Sequence, residues 1–413
     1  MNSRESMKLF LRNFAITALY YLAVFTLLQV YRFLFYGNTW LYTHDAFLNW
    51  DAQHYYFISQ HGYEGFHLAF FPLLPILWKL TGQGVYPVVF INAIIFLISF
   101  ALLSVFIRVK KTLELLLLAS VPCLMFMFVP YTEALFFAFG TLLLVGLRKN
   151  IPVLICAGML LCGLTRPSAT VFIPAILLTV SISNDGWKKK IQKGVLYSLF
   201  ALAGLGITLL IQHSYTGHWF DFFEAQKGWG NQLRIPKFPL TTWAGGKIVR
   251  LDATALLVGM FSLGYIIRIL KLRKYKTGNI SDDFFFALCC LAGIALLILF
   301  YRGGSLFSLS RFIFATPFFT LVLYSFCKNY RFTYNEVGLF LLLSTIYWLS
   351  FASYVHIQYF LKFVLLSIYI AFYFLLNNKQ DFVKSTAWYG LIIINSALLM
   401  YFYFRFLIFD WVG

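Results

Sequence analysis

Apolar runs long enough to cross a bilayer recur from one end of this chain to the other, and no other feature restricts the fold so tightly. Runs of roughly 17 to 25 residues match the length a helix needs to span a hydrocarbon core of about 30 Å. The chain is 61% hydrophobic and only 12% charged, whereas a soluble protein carries about 25% charge. The expected fold class is an all-α polytopic membrane protein, with one integral-membrane domain over residues 1–413.

A net charge of +18 would point to nucleic acid in a soluble protein. Here Lys and Arg gather in short breaks between apolar runs, as the positive-inside rule requires. Those breaks are too short to build a nucleic-acid surface, so no nucleic-acid partner is expected. The six cysteines lie inside apolar runs or at their ends, without metal-ligand spacing, and read as small core residues. The first apolar run follows Arg4, Lys8 and Arg12 and continues to about Tyr36, too long for a signal peptide and expected to be a signal anchor.

Basic clusters also set a topology, because two neighbouring cytoplasmic clusters must be separated by an even number of crossings. As one helix, Thr112 to Leu147 would reach about 54 Å, so it divides into two spans at "VPYTEAL". Ile151–Ser183 divides likewise at "LTRPSAT". About 13 spans result, near 10–34, 86–107, 113–129, 132–147, 151–165, 168–183, 194–213, 253–270, 284–301, 312–326, 335–354, 358–376 and 386–408. Two long outer loops remain, about 37–80 and 214–252. All seven histidines (His44, His54, His61, His67, His213, His218, His356) fall on the outer side or at its boundary, with Asp51, Glu133, Arg166, Arg302 and Arg311. Any chemistry is expected to face outward.

The first outer loop holds "NWDAQHYYFISQHGYEGFHLAFFPLLP". Residues Ala46 to Gln60 are expected to form a helix lying on the membrane surface, with Trp50, His54, Phe57 and His61 along one stripe. Either this helix is an aromatic anchor with Asp51 solvated, or it carries a site. The Pro-broken "AFFPLLP" behind it is too short to span and reads as a dip into the bilayer. Helical zinc pairs sit i, i+4, whereas His54, His61 and His67 are spaced by seven and six; no metal is assigned. In "PYTEAL", Thr132 and Glu133 have two readings: an N-cap with an acid at the positive helix end, or a site acid. In "LTRPSAT", Arg166 either snorkels or clamps phosphate. In "FYRGGSLFSLSRFIFATPFF", Arg302 and Arg311 bracket a Gly/Ser-rich turn suited to an anionic head group.

Taken in order, "WDAQHYYFISQHGYE…AFFPLLP", "YTEALF", "LTRPSA" and "SLSRFIFATP" resemble the family of the second mannosyltransferase of GPI-anchor assembly, the PIG-V family and its prokaryotic relatives. The resemblance covers about Asn49 to Pro317. It implies a GT-C-type membrane glycosyltransferase with a polyprenyl-phosphate-linked sugar donor, usually mannose, and an active site on the non-cytoplasmic face. It also implies a catalytic acid in the first outer loop, which maps onto Asp51. A prokaryotic-type relative in the bacterial cytoplasmic membrane is the expectation, with the endoplasmic reticulum membrane as the alternative.

Such a donor leaves as a stable phosphate anion, so the chemistry needs a base and cations rather than a protonated acid. Asp51 is the expected base, with His54 and Glu133 as further catalytic candidates. Arg166, Arg302 and Arg311 are the expected cations, and with Trp50, Gln53 and His61 they are expected to bind the lipid phosphate and sugar. No cofactor is called for; the donor is a substrate, and membrane lipid and a lipid or glycan acceptor are the partners. The rival function is a transporter or flippase for a lipid-linked sugar, which would place ionisable residues near the midplane of spans.

Overall fold

The computed structural model describes residues 3–37, 39–82, 84–241, 249–273, 280–351 and 357–412. It is 79% helical, with no strand among the described residues. In chain order the helices are α1 (Ser3–Tyr36), α2 (His44–Phe47), α3 (Asp51–His61), α4 (Leu73–Leu80), α5 (Val85–Phe106), α6 (Thr112–Ala119), α7 (Glu133–Lys149), α8 (Pro152–Thr165) and α9 (Phe172–Ile182). They continue with α10 (Trp187–Thr216), α11 (Asp221–Gly228), α12 (Val249–Arg273), α13 (Asp282–Tyr301), α14 (Leu309–Phe314), α15 (Pro317–Asn329), α16 (Tyr334–Trp348), α17 (Ile357–Phe374) and α18 (Asp381–Leu407).

Six of these, α1, α5, α10, α12, α13 and α18, are long and apolar enough to cross a membrane. A seventh crossing follows if the 3₁₀ stretch Pro122–Phe128 and α7, bent by 106° across "VPYT", count as one broken span. These long apolar helices mark an integral membrane protein. The other apolar runs form shorter helices, such as α8 with 14 residues and α9 with 11. Large apolar side chains stand exposed along α1 and α10 (Leu19, Leu22, Leu27, Leu199, Leu210), as lipid-facing surfaces do.

Local chemistry explains where helices start and stop. Proline opens α8, α15 and the 3₁₀ stretches at 122 and 167, where its missing N–H costs nothing. A capping box between Thr333 and Glu336 opens α16. Asn150, left-handed at φ 52°, ends α7 and lets α8 fold back against it. The α8–α10 crossing is close because Gly163 meets Gly204. A Cβ on Gly204 would lie 2.5 Å from the Leu160 carbonyl oxygen.

One expectation for the first loop is corrected. The helix expected over 46–60 is broken into α2 and α3 at Trp50, whose φ of 55° no helix accommodates. Trp50 therefore leaves the stripe with His54, Phe57 and His61. Around "AFFPLLP", Phe71, Leu74 and Trp78 are fully buried, and α4 forms directly behind Pro72.

Candidate active site

Residues far apart in sequence converge on one buried ionic cluster. α3 begins at Asp51 and α7 at Glu133, so both acids sit at positive helix ends. Arg166 lies at the break between α8 and the 3₁₀ turn that Pro167 opens, in extended backbone (φ −156°, ψ 143°) that turns its side chain inward. Arg311 sits in the short helix α14, and Arg302 directly follows α13.

Arg311 Nη2 donates to Asp51 Oδ2 at 2.7 Å. Its Nε lies 3.0 Å from Glu133 Oε1, an ion contact without hydrogen-bond alignment. Arg166 Nη2 pairs with the same Glu133 oxygen, and its Nε donates to Thr132 Oγ1 at 2.9 Å. Thr132 thus serves Arg166 and makes no side-chain cap on α7. The snorkelling alternative for Arg166 also falls, because its side chain is only 5% exposed.

Aromatic faces wall the cluster. Tyr131, Phe126 and Phe312 lie under the Arg311 guanidinium at 5.0, 5.5 and 5.1 Å. Phe136 and Phe312 flank Arg166 at 5.5 and 5.0 Å. Such walls exclude water and strengthen every charge interaction inside them. Buried pairs of this kind need their remaining donors satisfied. Yet Arg166 Nη1, Arg311 Nε and Arg311 Nη1 donate no hydrogen bond to any described residue, and Glu133 Oε2 accepts none. The unpartnered buried guanidinium nitrogens thus outnumber the unpartnered carboxylate oxygen, and the chemistry suited to them is a multidentate oxyanion.

Arg302 is enclosed differently. Its Nε donates to Asn231 Oδ1 at 2.9 Å, its Nη1 to the Phe307 carbonyl, and its guanidinium stacks 3.6 Å from the Phe307 ring. It straps the 229–234 loop to the end of α13, where Gln232 and Arg234 also donate to backbone carbonyls at 2.8 Å. Burial, then the Arg311 charge, push its guanidinium down to about 9, and Asp252 and Asp51 act against that shift.

The histidines form a separate wall. His54 and His67 share an Nδ1–Nδ1 hydrogen bond of 3.1 Å. His54 stacks on Phe70 and His67 on Phe57, with Trp229 edge-on to His54. Burial lowers both imidazoles from 6.5; the Asp51 charge opposes this at His54 and Glu64 opposes it at His67. Among the described residues no group of three His, Cys, Asp or Glu is placed to hold a metal.

Of the sequence candidates, Asp51, Glu133, Arg166 and Arg311 are brought into direct contact, with Arg302 and His54 beside them. Gln53 and His61 are exposed; the His61 ring lies tilted against Phe57 at 4.8 Å. Trp50 points away, stacked on Phe409 with its Nε1 donating to the Asp410 carbonyl at 3.3 Å. His356 lies outside the described residues. Sequence reading missed Tyr131, whose hydroxyl accepts the Asp51 N–H at 3.2 Å, and Asp252 and Asn231, and it gave Thr132 only a capping role. Tyr131 and Thr132 stand inside "PYTEAL" itself, whereas Asp252 and Asn231 carry no local signal.

Comparison with known proteins returns nothing: no family model fits the chain, no curated protein matches it, and no solved structure does.

Proposed function

We propose that the protein is a membrane glycosyltransferase that moves a mannosyl or other hexosyl residue from a polyprenyl-phosphate donor to a lipid or glycan acceptor. The observation that carries this reading is the Asp51–Arg311–Glu133–Arg166 cluster, with buried guanidinium N–H groups left over beside a carboxylate. A GT-C-type bundle of about thirteen crossings, with α3 along the outer surface, is the matching architecture, and the site then opens away from the cytoplasm.

In this mechanism Arg311 and Arg166 grip the donor phosphodiester. Asp51 takes the proton from the acceptor hydroxyl as its oxygen bonds to the sugar C1. The C1–O bond to phosphate breaks on the opposite face and its electron pair leaves with the lipid phosphate, inverting the anomeric centre. The phosphate needs no protonation to leave, because the guanidiniums stabilise the developing charge. Before donor binds, Arg311 holds Asp51 Oδ2. A phosphate oxygen competing for that guanidinium would loosen the pair and free Asp51 Oδ2 to take the acceptor proton.

Detergent-purified protein incubated with radiolabelled polyprenyl-phosphate mannose and a bacterial lipid extract tests the proposal. Label transferred to an acceptor supports it. Uptake of donor into protein-containing vesicles without any transfer would replace it with a flippase.

A further inference from the structure

We infer that Asp252 is a positioning residue, which aims Arg311 at Asp51 by holding the start of α14 from a different helix. Asp252 lies in the first turn of α12 and is 0% exposed. Its Oδ1 accepts the backbone N–H of Ser310 at 2.9 Å. That N–H belongs to the first turn of α14, where amides have no partner within the helix. The helix's own N-cap, Ser308, is left-handed at φ 64° and makes no side-chain cap bond. The neighbouring helix therefore supplies the cap that the local sequence does not.

The consequence falls on the next residue. Arg311 follows Ser310 directly, and its guanidinium must reach Asp51 Oδ2 and Glu133 Oε1 together. A six-residue helix is too short to hold itself in register. Asp252 is itself fixed: Tyr347 of α16 donates to the carbonyl of Ala253 at 2.7 Å. A line of hydrogen bonds thus runs from α16 through α12 to α14 and ends at the cation against the base. The negative charge of Asp252 also faces Arg302, so a second guanidinium of the site feels the same carboxylate.

The aiming of Arg311 rests on geometry alone; its effect on turnover rests on the glycosyltransferase reading, and two readouts keep these apart. The first uses full-length protein in detergent with ¹⁵N-labelled arginine, following the Arg311 Nε–Hε signal, assigned by its loss in Arg311→Lys. Asp252→Ala is expected to move that signal, whereas Asp252→Asn, which keeps an acceptor oxygen, leaves it in place. The second is sugar transfer in a double-mutant cycle. Asp252→Ala should lower kcat/KM about tenfold on the parent background and less than about twofold on Arg311→Lys, while Asp252→Asn retains most of the activity. Equal losses on both backgrounds would reduce Asp252 to a fold-stability residue and overturn the inference, as would an unmoved Arg311 signal in folded Asp252→Ala or a failed rescue by Asn. If Asp252→Ala does not fold, Asp252→Glu, which displaces the acceptor by one methylene, must shift the signal. If the parent protein transfers no sugar, the glycosyltransferase reading fails and the arginine signal alone decides the positioning role.

Discussion

The two ends of α7 each carry a buried ion pair to a neighbouring element, and they are built to different plans. At the start, Glu133 shares one oxygen between Arg166 and Arg311, Asp51 holds Arg311 from the other side, and guanidinium donors are left over. At the far end, about 23 Å away along the helix, Arg148 pairs with Asp283 at 2.5 Å, donates to the Phe106 carbonyl and stacks on the Phe106 ring at 4.2 Å. Arg148 is 35% exposed and reaches the surface; neither guanidinium at the other end does. One pair closes a helix junction. The other leaves buried guanidinium nitrogens of Arg166 and Arg311 without a hydrogen bond among the described residues, the feature on which the proposed anion site rests.

The largest effect that would sharpen this contrast is on turnover. Asp51→Asn should reduce sugar transfer by roughly 10²–10⁴-fold with the protein still monodisperse and helical. An active variant would move the base elsewhere in the cluster. Next, Arg166→Ala should raise the KM for lipid-phosphate donor about 10- to 100-fold, the value of charge-assisted hydrogen bonds to one phosphate. An unchanged donor KM would make the leftover Nη1 incidental. At the other end of α7, Arg148→Ala should cost about 3 kcal/mol of stability by stranding Asp283, with transfer kinetics intact. The double replacement Arg148→Met, Asp283→Leu should recover that loss, measured by thermal unfolding in detergent. A transfer defect in either variant would erase the distinction between the two ends.

The smallest effect is on pH dependence. Burial lowers His54 and His67 below 6.5 in the folded protein, so the unfolded chain binds protons first. Stability is then full above the unfolded value and falls as pH drops through 6.5 toward the folded values. The unfolding temperature should decline between pH 7.5 and 5, and the decline should shrink in the His54→Gln, His67→Gln double variant. An identical slope in that variant would assign the decline to other groups.

How much of this was legible in the sequence depended on whether the cause was local. The breaks at "VPYTEAL" and "LTRPSAT" were legible, because proline acts on its own backbone; the first falls at the 106° bend before Glu133 and the second at Arg166, where α8 ends in extended backbone. The acids and arginines of the cluster were legible as charges that an apolar chain does not carry idly. Their pairing was not, because the Asp51–Arg311 bond joins residues 260 positions apart. Trp50 misled because a helical stripe assumes an unbroken helix, whereas Trp50 takes a positive φ and stacks on Phe409, far away in sequence. Asp252 was hidden by its position beside a span boundary, where a solvated acid is the ordinary expectation.

The contacts that seat the start of α3 come from the far end of the chain. Asn49 donates to the Phe406 carbonyl at 2.7 Å, and Trp50 is wedged between Phe409 and Trp411. During synthesis the first loop emerges hundreds of residues before those partners exist. The loop bearing Asp51 must therefore wait, loosely held, until α18 arrives and closes over it. A ribosome that stops before α18 leaves a chain in which Asn49 and Trp50 lack these partners and the start of α3 is not yet seated.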